Sequence, residues 1–121
     1  MNKFTMYESL FMTGDTARAV ECKRAMMPAG WENDAAQLNH FAWWCFENRT
    51  NLEEAERLSK KSVELAADPK LKGNSLDTQA EICSALGRPN EAVLLAKQAI
   101  EQEPENKHYR EQLKRFQKIA K

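Results

Sequence analysis

The 121-residue sequence is poor in cysteine and histidine, with three of the first and two of the second. The cysteines stand far apart at Cys22, Cys45 and Cys83, without a CxxC pair and without histidines at zinc-ligand spacing. This pattern excludes a disulfide framework and a sequence-local zinc site. We expect the cysteines to be small buried hydrophobic residues that stay reduced.

The sequence also lacks a surplus of charge and a long apolar run. Lysine plus arginine and aspartate plus glutamate number 18 each, so the formal net charge is zero. Nucleic-acid binding usually needs a basic surplus, and a membrane-spanning helix needs about 18 consecutive apolar residues. We therefore expect neither a nucleic-acid partner nor a membrane span. The N-terminal segment has no signal-peptide pattern, which predicts a cytoplasmic location, or a periplasmic one for a fragment of a longer exported protein.

Catalytic groups are equally scarce. The four glycines are scattered singly, which excludes a phosphate-binding loop. A Cys–His dyad is not expected, because His40 and Cys45 are five residues apart on one predicted helix and point about 140° away from each other. His108 belongs to another helix. We predict no catalytic residue, no metal site and no cofactor, and hence a protein that is not an enzyme.

The sequence does contain evenly spaced turn signals and helical periodicity. Hydrophobic residues make up 42% of the chain and charged residues 30%, which is typical of a globular domain. The turn signals predict an all-α chain. The predicted helices cover residues 2–13, 16–27, 33–48, 52–66, 75–86, 89–103 and 105–119.

Two apolar faces recur along the chain. One face repeats at intervals of 36 and 37 residues, beginning at Ala19, Ala55 and Ala92. The other belongs to the preceding helices, where Leu38, Phe41, Ala42 and Cys45 are matched 38 residues later by Leu76, Gln79, Ala80 and Cys83. These spacings place each set on one side of a helix. The pattern predicts stacked helical hairpins.

These features resemble the tetratricopeptide repeat (TPR) family, whose pattern is W-x2-L-G-x2-Y, then A-x3-F, then P. The segment LGRPNEAVLLAKQAIEQEPEN, residues 86–106, carries the most typical part. The resemblance implies one domain over residues 1–121, a right-handed superhelix of three helical hairpins and a C-terminal capping helix. The hairpins would span about 2–27, 33–66 and 75–103, with the capping helix at 105–119.

The resemblance also implies a non-catalytic module that binds a protein or peptide on its concave face. The residues that match groove positions of the family are Phe11, Asn39, Trp43, Phe46, Asp77 and Glu81. An aromatic and acidic groove of this kind would suit an apolar segment with a basic residue. The alternative for these aromatic residues is packing between repeats. Adjacent Trp43 and Trp44 differ by about 100° around the helix, which predicts Trp43 in the groove and Trp44 between the first two hairpins.

Other functional hypotheses remain open. One TPR subclass holds the C-terminal carboxylate of chaperone tails with lysine, asparagine and arginine side chains. The matching positions here are Phe4, Glu8, His40, Asn74 and Thr78, so binding of a chaperone tail is not predicted. A weaker resemblance, carried by LNHFAWWCFEN and NSLDTQAEICSALGRPNEA, is to the helical tail of bacterial thioredoxin-like proteins. It implies an accessory domain of an oxidoreductase. Self-association as a homo-oligomer is the third hypothesis.

Overall fold

The computed structural model of the chain describes residues 16–120. This part contains six α-helices and one short 3₁₀ turn, and no strand lies within it. The helices are α1 (Thr16–Met26), α2 (Ala35–Glu47), α3 (Leu52–Leu65), α4 (Pro69–Ala85), α5 (Pro89–Gln102) and α6 (Lys107–Ile119). The 3₁₀ turn, Trp31–Asn33, precedes α2. The predicted helix 2–13, with Phe11, lies outside the described residues.

The helices pack in chain order as antiparallel neighbours. The apolar faces expected from the repeat are confirmed, since Leu38, Phe41, Ala42 and Cys45 on α2 are all fully buried. Their counterparts on α4, including Gln79, are buried as well. The alanines that begin the other repeated face, Ala19, Ala55 and Ala92, have no exposed surface. The contact faces of the hairpins therefore follow from sequence spacing.

Helix α4 begins six residues earlier than predicted, at Pro69 instead of residue 75. Asp68 caps it, because its side chain accepts a hydrogen bond from the Leu71 amide at 2.8 Å. Pro69 needs no donor in the first helical turn. Gly73 and Asn74, which precede the predicted helix 75–86, lie inside α4, where the missing Cβ of Gly73 leaves room for the ring of Tyr109.

The last helix also begins later than predicted, at Lys107 instead of residue 105. Asn106 caps it by accepting from the Tyr109 amide at 3.3 Å, and Pro104 lies in the preceding turn. Helix α3 begins at Leu52 as predicted, directly after Asn51. The side chain of Asn51, however, donates to Glu54 Oε1 at 2.8 Å and does not accept from the helix backbone.

A buried hydroxyl cluster joins three helices at the centre of the stack. Ser62 Oγ on α3 donates to the main-chain oxygen of Ala35 at 2.7 Å and lies 2.6 Å from Ser75 Oγ on α4. Both serines are fully buried. Since buried hydroxyls are costly without partners, these bonds fix α2 and α4 against the same helix. This arrangement places α2 and α4 side by side.

The last helix covers the hairpin formed by α4 and α5, as expected. Tyr109 and Phe116 on α6 are buried, while Leu113 packs at the edge of the same contact. Its apolar stripe points toward the stack, and the exposed remainder is rich in basic residues. As a consequence, one edge of α6 borders the face of α4 that lies beside α2.

Candidate interaction surface

An open concavity of about 300 Å³ lies where α2, α4 and α6 meet. Its lining residues are Asn39 and Trp43 from α2, Asn74, Asp77 and Thr78 from α4, and His108 from α6. Residues three or four positions apart share a helix face, which explains how two helices each contribute neighbouring side chains. Of the six predicted groove residues, the structure brings Asn39, Trp43 and Asp77 together here.

Trp43 supplies the aromatic wall of the concavity and is half-buried. Its ring centroid lies 5.0 Å from that of Phe46. Phe46 does not line the concavity. It packs against the core, and the Arg49 guanidinium lies 5.8 Å from its ring centroid. Two of the three aromatic residues predicted for the groove, Trp43 and Phe46, therefore contact each other.

Asn39 carries an unusual polar atom at this surface. Its side-chain oxygen, Oδ1, is buried and has no hydrogen-bond partner among residues 16–120. A buried acceptor without a donor is costly in a folded protein, and such groups are uncommon. Asn39 lines the concavity, but this oxygen has almost no accessible surface, so a bound molecule could supply the missing donor only after the Asn39 side chain turns toward the open side.

Asp77 forms the acidic side of the concavity, and its side chain is only 13% exposed. Its Oδ2 atom lies 3.2 Å from Nε2 of His108, whose side chain is 58% exposed. Burial raises the pKa of the Asp77 carboxyl, although the charges of His108 and Arg115 act in the opposite direction. The carboxylate is thus largely removed from water, and the side chain that contacts it, His108, is mostly exposed.

Asn74 and Thr78 complete the floor. Tyr109 Oη donates to Asn74 Oδ1 at 2.7 Å, and Thr78 Oγ1 donates to the main-chain oxygen of Asn74 at 3.1 Å. Asn74 is exposed, and its Nδ2 atom has no protein partner within the described part of the chain. This side of the concavity therefore offers a donor, while Asn39 and Asp77 offer acceptors.

Glu81 does not belong to this concavity. Its side chain is 7% exposed and forms an ion pair with Arg115, and it accepts from Gln112 Nε2 at 2.8 Å. Both partners come from α6. The sequence predicted Glu81 as a groove residue from its position in the repeat alone. The repeat does not contain the orientation of α6, which depends on packing and brings Arg115 and Gln112 to Glu81.

One solved structure shares this architecture. It is the NMR structure of the second TPR domain of the human RPAP3 protein in complex with an HSP70 peptide, SGPTIEEVD. The match covers 95% of this chain and 92% of that one, with a TM-score of 0.66 and 21% sequence identity. The chain has a TPR-like fold. Neither a protein-family profile nor a curated protein matches the sequence.

Within residues 16–120, α2 packs against α3, α4 packs against α5, and α6 packs against α5. The all-α repeat architecture expected from the sequence is thereby confirmed. Within residues 16–120, no helix has both the length and the apolarity that crossing a membrane requires.

Three residues of the concavity were missing from the predicted groove, namely Asn74, Thr78 and His108. Asn74 and Thr78 were considered only as positions matching a carboxylate clamp. An earlier start for α4 would have placed Asn74 on one helix face with Asp77 and Thr78. His108 could not be identified in this way, because its side of α6 is selected by the burial of Tyr109 and Phe116.

None of the three cysteines of the chain lines the concavity. Burial raises the pKa of the Cys45 thiol to about 11, and burial together with Glu56 raises that of Cys83 to about 12. Both thiols therefore stay protonated near neutral pH. Cys22 is half-buried, so the expectation of burial holds fully only for the other two.

Cys83 also takes part in a small cluster with Glu56 and Glu91, whose ligand-type atoms lie within 4.8 Å of one another. The Arg88 guanidinium lies 2.7 Å from Glu56 Oε2 and 3.0 Å from Glu91 Oε2. The carboxylates are thus paired with an arginine that links α3 to the start of α5. A metal ion at this point would have to displace that guanidinium.

Proposed function

We propose that the chain is a non-catalytic protein-interaction module that binds a segment of another protein in the concavity between α2, α4 and α6. The observation that carries this proposal is the grouping of Asn39 and Trp43 from α2 with Asp77 from α4 around one open surface. The RPAP3 domain, which shares the fold, is in complex with a peptide. TPR-like folds host many partners, so the identity of the ligand must come from the side chains of this surface.

Those side chains favour an apolar segment that carries a basic residue. Trp43 offers a large aromatic surface, which is a frequent anchor in protein interfaces. Asn39 Oδ1 and the Asp77 carboxylate offer acceptors. An acidic segment such as SGPTIEEVD would bring its carboxylates toward Asp77. We therefore expect this chain to select a different class of peptide.

Selection from a random peptide library, followed by calorimetry, tests the proposal. Selected peptides should bind the wild-type chain and lose at least about tenfold in affinity, or 1.4 kcal/mol, with Trp43→Ala. Leu94→Ala is the matched control, because Leu94 is a 59% exposed apolar residue on α5 that does not line the concavity. This variant should bind like the wild type.

Two outcomes would contradict the proposal. A library that yields no binder for the folded chain would remove the binding role. Peptides that bind the wild type and Trp43→Ala equally would remove the concavity as its site. Circular dichroism of both variants shows whether a loss of binding reflects a loss of fold. The roles as an oxidoreductase accessory domain and in self-association stay predictions.

A further inference from the structure

Three groups around the concavity share one chemical character, since all of them attract hydrogen-bond donors or positive charge. Asn39 Oδ1 is a buried acceptor with no donor among the described residues. Asp77 is a carboxylate with little exposed surface. Trp43 has an indole ring, whose face attracts cations. A ligand that satisfies all three must be cationic and must donate more than one hydrogen bond.

The charges already present do not satisfy this set. His108 contacts Asp77 through a single nitrogen, and most of its side chain is in solvent. Arg115 also acts on Asp77 through its charge, but its guanidinium is held by Glu81 and Gln112. Neither side chain donates a hydrogen bond to Asn39 Oδ1. Among residues 16–120, Asp77 therefore has one exposed histidine as its hydrogen-bond partner, and Asn39 Oδ1 has none.

We propose that this concavity is a subsite for an arginine side chain of the bound protein segment, whose guanidinium replaces His108 at Asp77. The proposal rests on the proposed interaction function and specifies the ligand chemistry at its site. In this subsite the guanidinium donates to the Asp77 carboxylate and its plane stacks on the ring of Trp43, and the Asn39 side chain turns so that its buried Oδ1 accepts from the same guanidinium. His108 then moves outward into solvent, where most of its surface already lies.

Arginine fits better than lysine for reasons of shape. A guanidinium is planar and has five N–H donors in a fixed fork, so it can bond two acceptors and stack on an aromatic ring at the same time. The ammonium of lysine is a compact, strongly hydrated point charge. Citrulline has nearly the shape of arginine but carries no charge, and it serves as the matched control ligand.

The probe is N-acetyl-arginine-N-methylamide, titrated into the isotope-labelled chain and followed by NMR through the indole N–H of Trp43. A Trp43→Phe variant assigns this signal among the three tryptophans. We expect saturable shifts at Trp43 and at the Asn39 side-chain amide. The citrulline analogue should bind at least about tenfold more weakly, and the lysine analogue should lie between the two.

Three variants locate the subsite. Asp77→Asn should weaken the arginine probe about tenfold or more, while His108→Ala should tighten it because the competing partner of Asp77 is gone. Glu101→Gln is the charge-matched control, since Glu101 is an exposed acid on α5 away from the concavity. Equal binding of the arginine and citrulline probes would overturn the proposal, as would unchanged arginine binding in Asp77→Asn. Weaker binding in His108→Ala would exclude the exchange at Asp77.

The two proposals can fail separately. If selected peptides depend on Trp43 but contain no arginine, and the arginine probe does not saturate, the interaction function stands and the arginine subsite is wrong. If the arginine probe binds through Asp77 but no peptide binds the chain, the subsite stands without the proposed function.

Discussion

The Tyr109 hydroxyl donates to Asn74 Oδ1 over 2.7 Å, and this bond joins the last helix to the floor of the concavity. A longer contact of 3.3 Å connects the same hydroxyl to Glu103 Oε1. The ring is almost fully buried against Leu76 and Ala99. Packing of the capping helix therefore also sets the orientation of a side chain at the candidate binding surface.

Removing this hydroxyl should cost a moderate amount of stability and change the response to alkali. Tyr109→Phe keeps the ring and loses the hydrogen bond, which predicts a loss of about 1 kcal/mol in the free energy of unfolding at pH 7. Burial, and then the charges of Glu103 and Asp77, raise the pKa of Tyr109 above its ordinary value of 10.0. The unfolded chain therefore loses this proton first, and the stability contribution falls as the pH rises above about 10.

Urea denaturation between neutral and alkaline pH measures both effects. The wild type should lose more stability than Tyr109→Phe above pH 10, so the two curves should converge there. The wild type and Tyr109→Phe share all other titrating groups, so the difference between their curves reports on Tyr109. Parallel curves at all pH values would show that Tyr109 does not titrate differently in the folded state.

The close approach of Tyr109 to Gly73 predicts an unusual sign for a glycine substitution. A Cβ added at Gly73 would lie 3.1 Å from both Cε2 and Oη of Tyr109. Replacing an interior helical glycine by alanine normally stabilises by about 1 kcal/mol. Here Tyr109 is buried and has little room to move, so Gly73→Ala should lower the free energy of unfolding.

The same glycine substitution in a Tyr109→Leu chain makes this test specific for the contact with the ring. With Tyr109→Leu the ring is absent, and Gly73→Ala should then raise stability through its helix propensity. The measurement is a double-mutant cycle by chemical denaturation. Stabilisation by Gly73→Ala in the wild-type background would show that the ring accommodates the methyl group.

The tryptophans should differ in their contribution to stability. Trp31 is 7% exposed, and its ring centroid lies 5.0 Å from that of Phe41, whereas Trp43 is half-buried at the concavity. Trp31→Ala should therefore cost about 3–5 kcal/mol, the range for a large buried aromatic residue. Trp43→Ala should cost less than about half of that, because part of its area is already exposed. Equal losses in urea denaturation would make Trp43 a core residue and weaken its assignment as a binding anchor.

The buried faces of the hairpins could be predicted from the sequence because they repeat at helical spacing, as Ala42 and Ala80 show. Trp31 escaped attention because a three-residue 3₁₀ turn has no periodicity to recognise. Gly73 and Asn74 have the local composition of a turn. This local signal contains no information about the ring of Tyr109, which packs against Gly73 inside α4. Of the candidate site, the contributions of α2 and Asp77 followed from the resemblance to the TPR family. Those of α6 depend on contacts about thirty residues away.

The pairing of Glu81 with α6 gives the last prediction. Arg115→Ala would leave the Glu81 carboxylate, which is only 7% exposed, with Gln112 as its remaining side-chain partner among residues 16–120. Leaving a buried polar group short of a partner costs about 1–3 kcal/mol, so the free energy of unfolding should fall by that amount. Glu81→Gln in the same chain removes the unpaired charge, and the double variant should recover most of the loss.

Chemical denaturation of the two single variants and the double variant measures the coupling. Additive losses would show that Arg115 stabilises α6 through its contact with the ring of Phe116, 4.7 Å from the guanidinium carbon, and not through Glu81.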